Sequence, residues 1–231
     1  MSQNLAKRQA GEKAAQRVES GMTVGLGTGS TTAFAIAALG RRVREEGLLI
    51  RGIPTSSSAE LEARLQGVPI CTFDDVEGRL DIAVDGADEV SPVLDLIKGR
   101  GAAHTREKLV ASQTDRFIVL VDPSKLVKQL GTKMPVPIEI IPMAAPVILR
   151  ALQAMGAEAS LRLGLRKDGP VVTDQGFWVI DAQFGPISDP AALSRTLLEM
   201  PGVLDHGLFI GLATEVIVGT ETGAEVLVRK P

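Results

Sequence analysis

Between Asn4 and Glu19 the small apolar residues Ala6, Ala10, Ala14 and Val18 recur at every fourth position among charged and polar neighbours, and Gly21 follows as a stop. That spacing keeps the four side chains on one helix face, so the pattern predicts an amphipathic helix with its polar face in water. The chain then alternates. Short β-rich runs at Met22 to Leu26, Leu49 to Ile53, Asp81 to Asp85 and Phe117 to Val121 are separated by helix-like segments at Thr31 to Glu46, Ser57 to Gln66 and Ala102 to Thr114. Strands that alternate with helices build a parallel sheet covered on both faces.

The texture changes after about Lys128, where Pro135, Pro137, Pro142 and Pro146 break the pattern before a helix-like Val147 to Met155. Strand candidates at Glu158 to Leu163, Val171 to Val172 and Phe177 to Ala182, then a helix from Pro190 to Met200, make this stretch a small α+β unit. The terminal runs Gly207 to Leu212, Glu215 to Val218 and Ala224 to Val228 are strand-like again, and some of them are expected to return to the first sheet. The pattern therefore predicts an α/β domain over residues 1–130 plus 206–231 and a smaller α+β domain over 131–205.

Composition narrows the partners. Twenty-five Lys plus Arg against 28 Asp plus Glu leave a net charge of −3, so no basic field exists to hold a nucleic-acid backbone. Aromatics are 3% of the chain, with no Tyr and one Trp, which removes the stacking platforms of single-strand binders. Cys71 stands alone and His104 and His206 are the only imidazoles, so neither an internal disulfide nor zinc-site spacing is present and no zinc cofactor is expected. No run approaches the roughly 18 apolar residues of a membrane helix, and the N-terminal residues lack a signal-peptide core. These absences predict a cytoplasmic protein with no membrane partner, and they leave small anionic ligands open.

In open parallel sheets the ligand crevice lies beyond the carboxyl ends of the strands, so residues just after a strand carry the functional weight. The stretch Gly25-Leu26-Gly27-Thr28-Gly29-Ser30-Thr31-Thr32 runs from a strand into a helix and offers backbone N–H groups and a helix start to a phosphate. It is neither the dinucleotide fingerprint, since Ser30 stands where the third glycine belongs, nor a P-loop, which would need Gly-Lys-Ser/Thr. A plain glycine-rich turn capped by Ser30 or Thr31 is the bland alternative. In Asp85-Gly86-Ala87-Asp88-Glu89, three carboxylates within five residues would repel one another if bare, which calls for a cation, a hydroxylated ligand or a protonated member. Its bland alternative is an Asp-Gly turn with Asp88 capping a helix.

The third stretch, Lys98-Gly99-Arg100-Gly101-Ala102-Ala103-His104-Thr105-Arg106-Glu107-Lys108, is again strand, turn and helix. Its turn can present N–H groups to a developing oxyanion beside the Lys98 charge. Glu107 lies on a stripe with Ala103 and Ala111, or is an ordinary exposed Glu pairing with His104 or Lys108. Arg106 falls on the apolar arc of Ala102, Ala103, Leu109 and Val110, which predicts a buried ion pair there.

Taken together, GTGSTT, DGADE and KGRGAAHTREK, in this order and at these separations, resemble ribose-5-phosphate isomerase of the A type. Weaker similarity runs through Val121 to Lys125, Pro135 to Pro142 and Val171 to Val203, so the resemblance covers nearly the whole chain. It implies a Rossmann-like parallel-sheet domain with a second, smaller α+β domain, a homodimer or homotetramer, and metal-free interconversion of ribose 5-phosphate and ribulose 5-phosphate in the pentose phosphate pathway. By motif position it assigns Thr28, Gly29, Ser30 and Thr31 to substrate binding. Asp85, Gly86, Ala87 and Asp88, with Lys98, Gly99, Arg100 and Gly101, would line the same site. Glu107 matches the proton-abstracting carboxylate and Lys125 a substrate-binding lysine. Arg100 departs from the middle glycine of this turn and His104 from an apolar position; a negative φ at Arg100 would leave the backbone of the turn unchanged.

The implied chemistry needs what these loops carry. Moving a proton between C2 and C1 through an enediolate takes a carboxylate base, here Glu107, and donors around the oxyanion, here Lys98 and the turn N–H groups. Opening the sugar ring needs a further acid/base, for which Asp85 and Asp88 are the candidates; the sequence does not divide that task and proton shuttling among them and Lys98. Two rivals remain: a related phosphosugar deaminase or lactonase, which would call on a histidine although His206 reads as a turn residue, and a sugar-phosphate-sensing effector domain, which would not need the acid/base set.

Overall fold

In the computed structural model, which describes residues 2–230, the alternating pattern becomes α1 (Ser2–Ala15), β1 (Thr23–Leu26), α2 (Ser30–Glu46), β2 (Arg51–Pro54), α3 (Ser57–Leu65) and β3 (Leu80–Gly86). Two short strands, β4 (Glu89–Val90) and β5 (Leu96–Ile97), precede α4 (His104–Ser112) and β6 (Thr114–Val121). There follow β7 (Val136–Ile140), α5 (Ala145–Ala154), β8 (Glu158–Leu161), β9 (Trp178–Gln183), α6 (Pro190–Leu198), β10 (Val203–His206) and β11 (Leu208–Phe209). The last strands are β12 (Glu215–Gly219) and β13 (Ala224–Val228). Met1 and Pro231, the two ends of the expected first domain, lie outside the described residues. The chain forms two compact units: one takes the described residues up to Ala87, Arg106–Leu126 and those from Gly211 on, the other Asp88–Thr105 and Val127–Ile210.

The first unit holds a six-stranded sheet in the order β13-β12-β6-β3-β1-β2, parallel except for the antiparallel edge pair β12 and β13. Its core joins Leu26, Val84, Ile118 and Ile217 of the sheet to Ala10 and Ala14 of α1 and Ala35 and Leu39 of α2. The every-fourth alanines of α1 serve close approach. A Cβ on Gly11 would come within 2.7 Å of the Ala35 nitrogen, and one on Gly219 within 1.9 Å of the Ala6 carbonyl oxygen. α1 ends at Ala15, short of the expected Glu19, and Val18 is buried beyond it. No helix among the described residues is long and apolar enough to cross a membrane.

The second unit is an antiparallel sheet, β10-β7-β9-β8, with a three-stranded sheet β11-β5-β4. Ile138, Ile140 and Ile180 of the sheet pack with Ile148 and Leu152 of α5 and Leu197 of α6. The proline-rich stretch expected to break the pattern holds β7, an interior strand. Pro137 is tolerated there because its carbonyl accepts the Gly207 N–H at 2.7 Å. In an antiparallel ladder the N–H and C=O of one residue face the same way, so the N–H that proline lacks would have pointed past the end of β10. Val171 and Val172 do not form the expected strand: only an isolated bridge joins Val172 to Trp178, after a Pro170 that has no N–H to give.

Glu89, at the start of β4, is fully buried and accepts three backbone N–H groups, from Gly131 at 2.6 Å, Lys133 at 2.5 Å and Met134 at 2.8 Å. It ties β4 to the 131–134 turn. Replacing Glu89 by Ala would leave these donors without their acceptor and is expected to cost about 3–5 kcal/mol, measurable by urea unfolding. Glu89→Gln, which keeps a carbonyl oxygen, should cost less.

Candidate functional site

In the first unit β1 and β3 are adjacent and parallel, and the loop after β1 is tied to the end of β3. The Gly27 N–H donates to the Val84 carbonyl at 2.9 Å, and the Thr28 N–H to Asp85 Oδ1 at 3.1 Å. Asp85 is 2% exposed and its Oδ1 also accepts the Gly86 N–H at 2.7 Å. The Thr28 hydroxyl reaches Thr55 Oγ1 at 2.9 Å and Ser56 Oγ at 2.7 Å, at the carboxyl end of β2. α2 then starts without the expected cap: its N-cap is Gly29 at φ +112°, and no side chain bonds the first turn. The leading N–H groups of α2 are left to a ligand or solvent, as an anion site requires. Ser30 Oγ, exposed in that turn, accepts a hydrogen bond from Lys7 Nζ at 3.0 Å.

Glu107 sits in the first turn of α4, and the same unit fixes where that turn lies. At the far end of α4, Gln113 accepts the N–H of Leu80, the first residue of β3. Midway, Val110 lies against Gly25 of β1, where a Cβ would meet Val110 Cγ1 at 2.5 Å. Glu107, one turn before Val110, therefore lies toward the carboxyl edge of β1 and β3, the edge that carries Thr28 and Asp85. It is 5% exposed, so the reading of an exposed surface Glu is corrected. The buried face of α4 runs through Glu107, Val110 and Ala111, whereas Leu109 is 52% exposed and Arg106 half-buried; the apolar arc expected around Arg106 is displaced by one residue.

Lys125 follows β6 on the same edge and is half-buried. Its neighbour Asp122 accepts the Ser124 N–H at 2.9 Å and the Gln3 amide at 3.3 Å. Burial pushes the Asp122 carboxyl up, but the Ser124 hydroxyl and N–H, the Gln3 amide and the Lys125 charge outweigh it and hold it below the usual Asp range.

The second unit carries Asp88 and the Lys98 to Gly101 turn. Asp88 caps no helix; its Oδ2 accepts the Arg100 N–H at 3.0 Å. Lys98 is 2% exposed, its N–H donates to the Gly207 carbonyl at 2.9 Å, and its ammonium lies 5.4 Å from the centroid of the Phe209 ring, a favourable cation–π placement. The positive φ values fall at Gly99 (105°) and Ala102 (57°), not at Arg100, so the arginine fits the turn. A Cβ at Gly99 would lie 2.8 Å from His104 Nδ1. The Arg100 N–H, expected to face an oxyanion, is taken by Asp88, and the Ala102 N–H by the Gly99 carbonyl at 3.0 Å. Gly99 and Gly101 keep N–H groups with no partner among the described residues.

The expected repulsion among Asp85, Asp88 and Glu89 is answered by separate sets of N–H donors. Among the described residues, no three His, Cys, Asp or Glu side chains are grouped as a metal site requires. His206 is no turn residue: it ends β10 fully buried, with Nδ1 accepting the Leu208 N–H at 3.1 Å, which leaves Nε2 to carry the proton toward Ser194. Sequence reasoning missed Lys7, Thr55 and Ser56. The Thr55-Ser56-Ser57-Ser58 run after β2 was a usable signal for two of them; Lys7, on α1, had none.

A family model described as ribose 5-phosphate isomerase A (phosphoriboisomerase A) matches residues 51–223. The ribose-5-phosphate isomerase A of Thermosynechococcus vestitus is 52% identical over 225 residues, 97% of this chain and 95% of that protein. The solved ribose 5-phosphate isomerase A of Methanocaldococcus jannaschii superposes with a TM-score of 0.93 at 46% identity, covering 96% of this chain and 98% of that one. A solved D-ribose-5-phosphate isomerase in complex with phospho-erythronic acid gives a TM-score of 0.96 at 47% identity, covering 99% of this chain and all of that one. With matches of this extent in sequence and in structure, the chain belongs to the ribose 5-phosphate isomerase A family.

Proposed function

We propose that this chain is an aldose-ketose isomerase that interconverts D-ribose 5-phosphate and D-ribulose 5-phosphate, with Glu107 as the base. Beside family membership, the observation that carries the assignment is the withdrawal of Glu107 from water, at 5% exposure, on the sheet edge that also carries Thr28 and Asp85. A carboxylate that must take a proton from carbon works best out of bulk water and beside its target.

In this reading the phosphate binds at the uncapped start of α2, to the Gly29, Ser30 and Thr31 backbone and the Ser30 hydroxyl, with Lys7 and Lys125 as counter-charges. Asp85 or Asp88 moves a proton between the ring oxygen and O1 to open the sugar. Glu107 takes the C2 proton and the electron pair of that bond moves into the C1–C2 double bond of the enediolate. Lys98 and the Gly101 N–H stabilise the oxyanion, a hydroxyl proton passes between O1 and O2, and Glu107 returns its proton to C1. No atom is gained or lost.

Ser30→Ala and Lys125→Ala test the phosphate assignment. Each is expected to raise KM about tenfold while leaving kcat within about threefold, since each removes one contact that substrate and transition state share. The opposite split, in steady-state kinetics, would remove these residues from phosphate binding. A homodimer or homotetramer is supported by apolar side chains left in water on the second unit, Met143 at 86% and Val147 at 58% exposure, and light scattering would test it.

A further inference from the structure

The residue that governs the Lys98 to Gly101 turn is one no motif points to. Arg162 directly follows β8, with 15% of its side chain exposed. Its Nε donates to Asp181 Oδ2 at 2.8 Å and its Nη2 to Asp181 Oδ1, while Nη1 donates to two backbone carbonyls, Gly99 at 2.9 Å and Arg100 at 3.0 Å. Its own backbone is held as well: the N–H donates to the Val179 carbonyl and the carbonyl accepts the Val171 N–H, both at 2.8 Å.

A trans peptide is planar, with C=O and N–H pointing opposite ways, so fixing one fixes the other. The Gly99 carbonyl belongs to the peptide whose N–H, on Arg100, donates to Asp88. The Arg100 carbonyl belongs to the peptide whose N–H, on Gly101, has no partner among the described residues. One guanidinium therefore sets two peptides: one holds Asp88, and one leaves a donor available. A positive charge at the carbonyl end also polarises each peptide and strengthens its N–H as a donor. The turn it holds passes through positive φ at Gly99 and Ala102, so the guanidinium adds to the Ala102 N–H to Gly99 carbonyl bond at 3.0 Å in holding a backbone that side-chain-bearing residues rarely adopt.

We propose that Arg162, oriented by Asp181, is a positioning residue for the isomerisation: it aims the Gly101 N–H at the developing enediolate oxygen and fixes Asp88 for proton transfer. The proposal rests on the isomerase reading above. It is tested with Arg162→Ala and Asp181→Asn beside the wild type, by kinetics on ribose 5-phosphate, inhibition by phospho-erythronic acid, melting temperature, and rescue by guanidinium at sub-denaturing concentration. Phospho-erythronate carries an anionic, planar carboxylate that resembles the enediolate in charge and shape, so its affinity reports oxyanion stabilisation apart from ground-state binding.

For Arg162→Ala the expected result is a kcat lowered about 10–100-fold with KM within about threefold. Affinity for phospho-erythronate should fall by a comparable factor, and guanidinium should recover part of the turnover. Asp181→Asn should move the same quantities less far. The proposal is overturned if both variants keep kcat within about twofold of wild type, or if kcat falls while phospho-erythronate affinity holds and guanidinium does nothing. Should Arg162→Ala not fold, Asp181→Asn with a native melting temperature decides in the same way. A wild type that fails to convert ribose 5-phosphate would sink the isomerase reading itself, whereas an active wild type indifferent to Arg162 would sink only the clamp.

Discussion

Glu107→Gln is expected to lower kcat by about 10³–10⁴-fold while leaving KM within about threefold of wild type. The amide matches the carboxylate in shape and still accepts a hydrogen bond, so the buried packing beside Val110 and Ala111 survives. What it loses is the ability to take a proton from C2. Since Glu107 is 5% exposed, solvent has poor access to stand in as base, which is why the expected loss lies toward the upper part of the range for general-base removal. Glu107→Asp keeps the carboxylate but withdraws it by one methylene, and should retain intermediate activity. Steady-state kinetics with a melting curve for each variant checks this, and near-normal turnover in Glu107→Gln would remove Glu107 from the role.

Gly27→Ala is the second change with a large expected effect, because its added methyl group has nowhere to go. The Cβ would lie 2.3 Å from Asp85 Cγ and Oδ1 and 2.5 Å from the Val84 carbonyl oxygen. Real Cβ atoms do not approach so closely, so either the loop or Asp85 must shift and the Thr28 N–H to Asp85 bond at 3.1 Å is lost. The expected cost is about 2–4 kcal/mol of stability. The displaced cradle should also lose about 10²-fold in kcat/KM, the usual consequence of moving a binding group by about 1 Å. Gly29→Ala is the contrast. Nothing lies within 4 Å of its Cβ, and only the φ of +112° is violated, so about 1–3 kcal/mol is expected with less effect on Asp85. Equal damage from the two substitutions would contradict the close contact at Gly27.

The alternation of strand and helix was legible because the central strands of the first sheet carry unbroken buried runs: β6 is buried over Phe117 to Val121 and β3 over Ile82 to Asp85, the pattern of parallel strands covered on both faces. β7 was not, since Pro135 and Pro137 signal a break and only the position of Gly207 beyond β10 makes a proline acceptable in an interior strand. β4 and β5, two residues each, are too short to carry a period. In the candidate site, the placement of Thr28 and Asp85 at neighbouring strand ends was legible, because each follows an apolar run that reads as a strand. How each is held was not: the donors to Asp88 and Glu89 are backbone N–H groups far along the chain, and Arg162 reaches the Gly99 turn from 62 to 63 residues away. Local pattern reports which face of an element is buried; it does not report which distant backbone group a buried charge will meet.

The most direct test of the isomerase assignment is conversion of ribose 5-phosphate by the purified wild-type chain in excess chelator, followed by NMR until the sugar phosphates stop changing. The expected result is a catalytic approach, from either sugar phosphate, to one equilibrium mixture of ribose 5-phosphate and ribulose 5-phosphate. A folded chain that binds ribose 5-phosphate and leaves it unconverted would contradict the assignment and favour a sugar-phosphate sensor.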